Sequence, residues 1–149
     1  MNRLLALLSL SLLGAAPALA TGAASLWSAQ APQLLSVEQA FALLPAERGK
    51  NGVQLSWNIA PGTYLYRERI RVELLEPQGL KTGALQMPDG IAHRDEHFGD
   101  VHIFRGLLQA TLPLHGLRHN ALRLRIHYQG CADAGICYPP QSVEQTVLP

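Results

Sequence analysis

Apolar and polar residues alternate in several separate stretches of this chain. In residues 53–59, Val53, Leu55, Trp57 and Ile59 take one side while Gln54, Ser56 and Asn58 take the other. A period of two is what a strand shows when one of its faces meets a core. The pattern returns at 69–74, where Ile70, Val72 and Leu74 oppose Arg69, Arg71 and Glu73, and again in Leu108, Ala110, Leu112 and Leu114. At 122–128, Leu122, Leu124, Ile126 and Tyr128 oppose Arg123, Arg125 and His127, and residues 143–148 supply a last, weaker strand. Pro61-Gly62, Pro77-Gln78-Gly79 and Pro88-Asp89-Gly90 break the chain between these runs. Helical signal is confined to Ser36-Val37-Glu38-Gln39, whose S-x-x-Q spacing is that of a capping box and predicts one turn ahead of residues 41–44.

Seven or so short strands, with turn signals at intervals of about ten residues and almost no helix, predict an all-β fold. The expected architecture is an immunoglobulin-like antiparallel β-sandwich, with a closed barrel as the alternative. The sequence contains neither an internal repeat nor a low-complexity tract.

The first twenty residues stand apart. Arg3 precedes an apolar run of about ten residues, half of what spans a bilayer, and Ala18-Leu19-Ala20 supplies small residues for cleavage. Residues 1–20 are therefore expected to be a signal peptide, residues 21–33 a flexible leader, and residues 34–149 one domain, soluble and in the periplasm if the source is bacterial. A domain of that size buries around two thirds of its unfolded surface and needs no staple to fold. The net charge is +1 and the basic residues are scattered, which argues against a nucleic-acid partner or a polybasic membrane patch.

Oxidising surroundings give weight to the only two cysteines, Cys131 and Cys137, which flank the turn Ala132-Asp133-Ala134-Gly135. A bond between them would close a loop of about seven residues, worth roughly 2.4 kcal/mol, against about 4.7 for a loop of about a hundred. Such a bond is a weak staple, whereas thiols kept adjacent by a tight turn re-form it readily after reduction. The spacing thus favours exchange chemistry, and a structural bond remains the alternative. The loop between the cysteines carries Asp133 and no cation, and negative neighbours disfavour a thiolate, so sluggish thiols that react once a partner has docked are expected. Pro139-Pro140 stiffens the exit and removes two backbone donors.

Gly130-Cys-Ala-Asp-Ala-Gly-Ile-Cys-Tyr-Pro-Pro140, preceded by Tyr128-Gln129, resembles the signature of the N-terminal periplasmic domain of the thiol:disulfide interchange protein DsbD. Further segments follow that domain's order: Tyr64-Leu-Tyr-Arg67, Arg69-Ile-Arg-Val72, Met87-Pro-Asp-Gly90, Asp95-Glu-His-Phe-Gly99 and Phe104-Arg105. The resemblance runs from about Leu34 to Leu148, nearly all of the chain expected after the signal peptide. It implies an immunoglobulin-like fold and a protein-disulfide reductase role, with Cys131 and Cys137 as the exchanging pair and no cofactor beyond the disulfide. It also implies a cap loop made of Asp95, Glu96, His97, Phe98 and Gly99 that shields the pair, with Tyr64, Tyr66, Asp133 and Tyr138 in support. Family members take electrons from a membrane-embedded partner and hand them to thioredoxin-fold periplasmic proteins, among them a disulfide isomerase and cytochrome c maturation factors. Two departures stand out. Better-known members place the cap aromatic directly after Asp-Glu, where this chain has His97, so the shield is expected to be Phe98 or His97. The membrane and thioredoxin-like domains do not occur in these residues, so a separate membrane electron donor is expected, or the chain is a fragment of a larger reductase.

Other readings of the same residues carry less. His93, His97, His102, His115, His119 and His127 lack tight ligand spacing, and C-x5-C is not a usual zinc arrangement, so no metal is expected. Copper transfer wants thioethers, and Met87 is the only methionine beyond the signal segment. The rival from another class is a passive immunoglobulin-like binding module with a structural disulfide. A structural bond has a potential below about −300 mV, a working one between about −270 and −180 mV.

Overall fold

The computed structural model describes residues 34–116 and 121–149. The signal peptide and leader expected over residues 1–33, and His119, lie outside the described residues. The domain opens with a helical turn, α1 (Val37–Ala40), closed by the capping box that the S-x-x-Q spacing predicts: the Ser36 hydroxyl accepts the Gln39 N–H, and the Gln39 side-chain oxygen accepts the Ser36 N–H. Strands follow as β1 (Phe41–Leu43), β2 (Glu47–Gly49), β3 (Gly52–Ile59), β4 (Thr63–Tyr66), β5 (Arg71–Glu76), β6 (Lys81–Thr82) and β7 (Ile91–Asp95). They continue as β8 (Gly99–Phe104), β9 (Gly106–His115), β10 (Leu122–Tyr128), β11 (Gly130–Ala132), β12 (Ile136–Cys137) and β13 (Gln141–Val147).

All pairings among these strands are antiparallel. One sheet runs β1-β3-β9-β6 with β2 also on β3, a second β13-β10-β5, and a third β12-β11-β4-β8-β7. The molecule is an immunoglobulin-like antiparallel β-sandwich, not the closed barrel. The expected alternation is what builds its core. Val53, Leu55, Trp57 and Ile59 of β3 are buried together with Leu108, Ala110 and Leu112 of β9 and Leu122, Leu124 and Ile126 of β10. The edge of Trp57 meets Tyr128 at 6.1 Å between ring centres, tying the first sheet to the second. Each buried valine, leucine or isoleucine among them contributes about 1.5–3 kcal/mol by leaving water.

The structure adds detail in three places. Residues 67–69 form a 3-10 turn, so the strand expected from Arg69 begins at Arg71, with Val72 and Leu74 still on its inner side. The hairpin β7–β8 carries no clear alternation in sequence because the buried side of β7 holds His93 and Asp95 instead of aliphatic residues. The run from Leu122 also changes sheet. At Gln129, whose carbonyl accepts the Tyr66 N–H at 3.0 Å, it leaves β5 and β13 and becomes β11, paired with β4 and β12. Gly130 permits that crossing: a Cβ there would stand 2.1 Å from the Tyr64 carbonyl oxygen and 2.7 Å from Cζ of Phe41.

Candidate redox site

Strand parity assembles the site. In β4, Leu65 enters the main core, so Tyr64 and Tyr66 must face the other way. The register sets Cys131 opposite Tyr64, and Cys131 opposite Cys137. On the other flank Tyr66 pairs with Ile103, and Val101 and Gly99 of β8 pair with His93 and Asp95 of β7. Tyr64, Tyr66, Ile103 and Cys131 thus form a small buried cluster of their own, with Val101 and Cys137 partly buried against it.

Cys131 and Cys137 form a disulfide, with S–S 2.07 Å and Cα–Cα 3.9 Å. The two sulfurs are not equivalent. Cys131 is 0% exposed, whereas Cys137 is half-buried and lines an open cleft of about 210 Å³ together with Tyr64, His93, Asp95, His97 and Asp133.

One hydroxyl links the sulfurs to a carboxylate. Tyr66 Oη lies 3.0 Å from Sγ of Cys131 and 3.9 Å from Sγ of Cys137, and its O–H donates to Asp95 Oδ2 at 2.5 Å. Tyr64 donates to the same oxygen at 3.2 Å. Oδ1 of Asp95 accepts the backbone N–H of His97 at 2.7 Å and of Phe98 at 2.9 Å. Burial alone would raise the Asp95 pKa, but these four bonds outweigh it and hold the group at about 2. Burial, then the bond to Asp95, push Tyr66 well above the ordinary phenol value, so it keeps its proton.

The expected cap loop is the tip of a hairpin. Asp95 pairs with Gly99 across β7–β8, and Glu96, His97 and Phe98 form the turn between them, closed by Gly99 at φ +73°. Phe98 and Tyr66 meet in a T-shaped contact with ring centres 5.1 Å apart, and the Arg69 guanidinium lies over the Phe98 ring at 4.3 Å. Glu96 and His97 are exposed and border the cleft beside Cys137.

Two residues differ from expectation. Tyr138 turns away from the disulfide: its ring packs on Phe41 at 5.1 Å and its hydroxyl donates to the Leu35 carbonyl at 2.9 Å, so it belongs to the main core. Asp133 does not stand as an unopposed negative charge between the cysteines. Arg105 binds it through both nitrogens, at 2.7 and 3.1 Å, and lies 5.1 Å from the centre of the Tyr64 ring. Sequence reasoning confined to the cysteine loop missed this cation, which arrives from 28 residues upstream.

The sequence model of the family described as "Thiol:disulfide interchange protein DsbD, N-terminal" matches residues 31–149. The chain belongs to that family. Among curated DsbD proteins it is 46% identical over 110 residues to Thiol:disulfide interchange protein DsbD 2 of Pseudomonas aeruginosa, covering 72% of this chain and 17% of that protein. It therefore spans less than a fifth of the length of the curated relatives it matches. Two solved DsbD N-terminal structures from Neisseria meningitidis share the fold. The reduced domain superposes with a TM-score of 0.70 at 29% identity, over 78% of this chain and 90% of that one. The domain from a complex between the DsbD and PilB N-terminal domains gives 0.67 at 31% identity, over 78% and 88%.

Proposed function

We propose that this chain is a periplasmic thiol–disulfide exchange domain that relays reducing equivalents through Cys131 and Cys137 to thioredoxin-fold partners, as a component of a protein-disulfide reductase. The single observation that carries the reading is the asymmetry of the disulfide: one sulfur sealed against Tyr66, the other bordering an open cleft under a hairpin tip. Complex formation by a related N-terminal domain with the PilB N-terminal domain supports a protein partner. The disulfide is the redox group, so no further cofactor enters.

Two electrons pass in two exchanges. A donor thiolate attacks Sγ of Cys137, the S–S bond breaks, and Cys131 leaves as thiolate. The donor's second thiol attacks its own sulfur in the mixed disulfide, which frees Cys137 and leaves the donor oxidised and this pair reduced. Delivery runs the same steps backwards on an acceptor's disulfide, with Cys131 as the resolving thiol. Tyr66 can hold the reduced Cys131 thiol in place: its Oη, 3.0 Å from Sγ and itself donating to the Asp95 carboxylate, can accept the S–H. The donor is a dithiol outside these residues, and members of the family suggest a thioredoxin-like one. Disulfide isomerases and cytochrome c maturation factors are the acceptor classes the family suggests.

The test is trapping in a periplasmic extract. Cys131→Ala leaves the reachable Cys137 without its resolving partner and is expected to accumulate mixed disulfides with thioredoxin-fold proteins. Cys137→Ala is expected to give few. Absence of adducts from both variants would overturn the exchange reading, and adducts only with Cys137→Ala would reverse the assignment of the attacked sulfur.

A further inference from the structure

We infer that Arg105 is a positioning residue for the exchange reaction: by clamping Asp133 it holds the Cys137 side of the loop over Cys131 while the bond between them is open. The inference rests on the exchange reading and adds a residue to it.

The loop has little else to hold it. β12 is two residues long and, among the described residues, lies at the edge of its sheet and pairs only with β11. Asp133, Ala134, Gly135 and Ile136 are all exposed. Backbone tethers run from the Asp133 N–H to the Gly62 carbonyl at 2.8 Å, from Gly135 to Ala132 at 3.0 Å and from Tyr138 to Gly130 at 3.0 Å. When the S–S bond opens, the covalent link across β11–β12 is gone, and the geometry of the two thiols depends on these contacts and on the side chain of Asp133.

Arg105 is well placed to act through that side chain. It sits between β8 and β9, the latter a ten-residue strand paired along most of its length with β3. One of its guanidinium nitrogens donates both to Asp133 and to the Thr63 carbonyl, at 3.2 Å for the latter, and the plane covers Tyr64. A single planar group therefore ties the cysteine loop to the strand that lies directly opposite Cys131. A bidentate guanidinium–carboxylate pair fixes direction as well as distance, which a lysine does not.

Ordering the loop and closing the disulfide favour one another, so the coupling is reciprocal. If the clamp orders the loop, losing it lowers the effective concentration of one thiol at the other and makes the bond easier to reduce. Arg105→Met and Asp133→Asn are each expected to lower the equilibrium constant for disulfide formation by about threefold, which raises the potential by about 14 mV for a two-electron couple. The double variant is expected to show no more than either single change, and Arg105→Lys to recover part of the loss. The equilibrium is measured on the whole chain in dithiothreitol buffers, which can also reduce a structural bond. The thermal midpoints of both forms are followed alongside, and by the same linkage that of the oxidised form is expected to fall by more than that of the reduced form.

Single variants within twofold of the unaltered chain, or single effects that add in the double variant, would overturn the clamp. The potential of the unaltered chain separately tests the exchange reading: a value below about −300 mV would count against exchange whatever the variants show.

Discussion

Asp95 illustrates how much one residue can carry when its neighbours supply donors. It is 7% exposed, ionised, and satisfied by two phenols and two backbone amides. Removing its charge leaves those donors without an ionic acceptor, and charge-assisted bonds contribute about 1.5–3 kcal/mol each. Asp95→Asn is expected to cost about 2 kcal/mol at pH 7, read by chemical denaturation. The pH dependence has a definite sign. The folded pKa, about 2, lies below the ordinary value of 3.8, so the contribution is complete above about pH 4 and disappears as pH falls towards 2. The stability gap between the unaltered chain and Asp95→Asn should close over that window, and a gap that persists at pH 2 would contradict the assignment. Cys131, Cys137, Asp95, Tyr64 and Tyr66 were all nameable from sequence. Arg105 was readable only as part of the Phe104-Arg105 segment, and its contact with Asp133 was not, because only the turn between β8 and β9 brings the two together.

At the scale of elements, the hairpin β7–β8 is fastened at its tip. Phe98 is held by an aromatic edge contact with Tyr66 and by the Arg69 guanidinium, together worth about 1.5 kcal/mol. Phe98→Ala is expected to raise the population of open tips, and hence the rate of disulfide reduction by dithiothreitol, by roughly tenfold. Arg69→Met is expected to give a smaller increase. Unchanged rates in stopped-flow measurements would mean that the shield is His97, which also borders the cleft. The hairpin was legible only through family resemblance. Its inner positions alternate His93, Asp95, Val101 and Ile103, and a polar residue on a buried face blurs the period that reveals a strand.

Across the whole molecule the disulfide contributes little to the fold. The main core, with Trp57, Leu55, Leu124 and Ile126 fully buried, lies on the opposite face of β4 from the sulfur cluster. A bond closing so short a loop contributes roughly 2.4 kcal/mol. The reduced domain is expected to stay folded, with a melting temperature about 5–15 °C lower than the oxidised one, by calorimetry with and without reductant. Unfolding on reduction at 25 °C would favour the structural-bond alternative. On the proposed exchange reading, this separation of core from sulfur cluster leaves the frame fixed while the bond opens and closes.

Local pattern determined strands β3, β5, β9, β10 and β13, the capped turn at Ser36 and the identity of the two sulfurs, because period-two burial and capping are short-range effects written in neighbouring residues. Tertiary structure alone decided that Cys131 is sealed and Cys137 reachable, that Tyr66 bridges sulfur to carboxylate, and that Arg105 meets Asp133. Those facts depend on strand register and on the change of sheet at Gln129, where distant segments are brought within hydrogen-bonding distance by the burial of other residues.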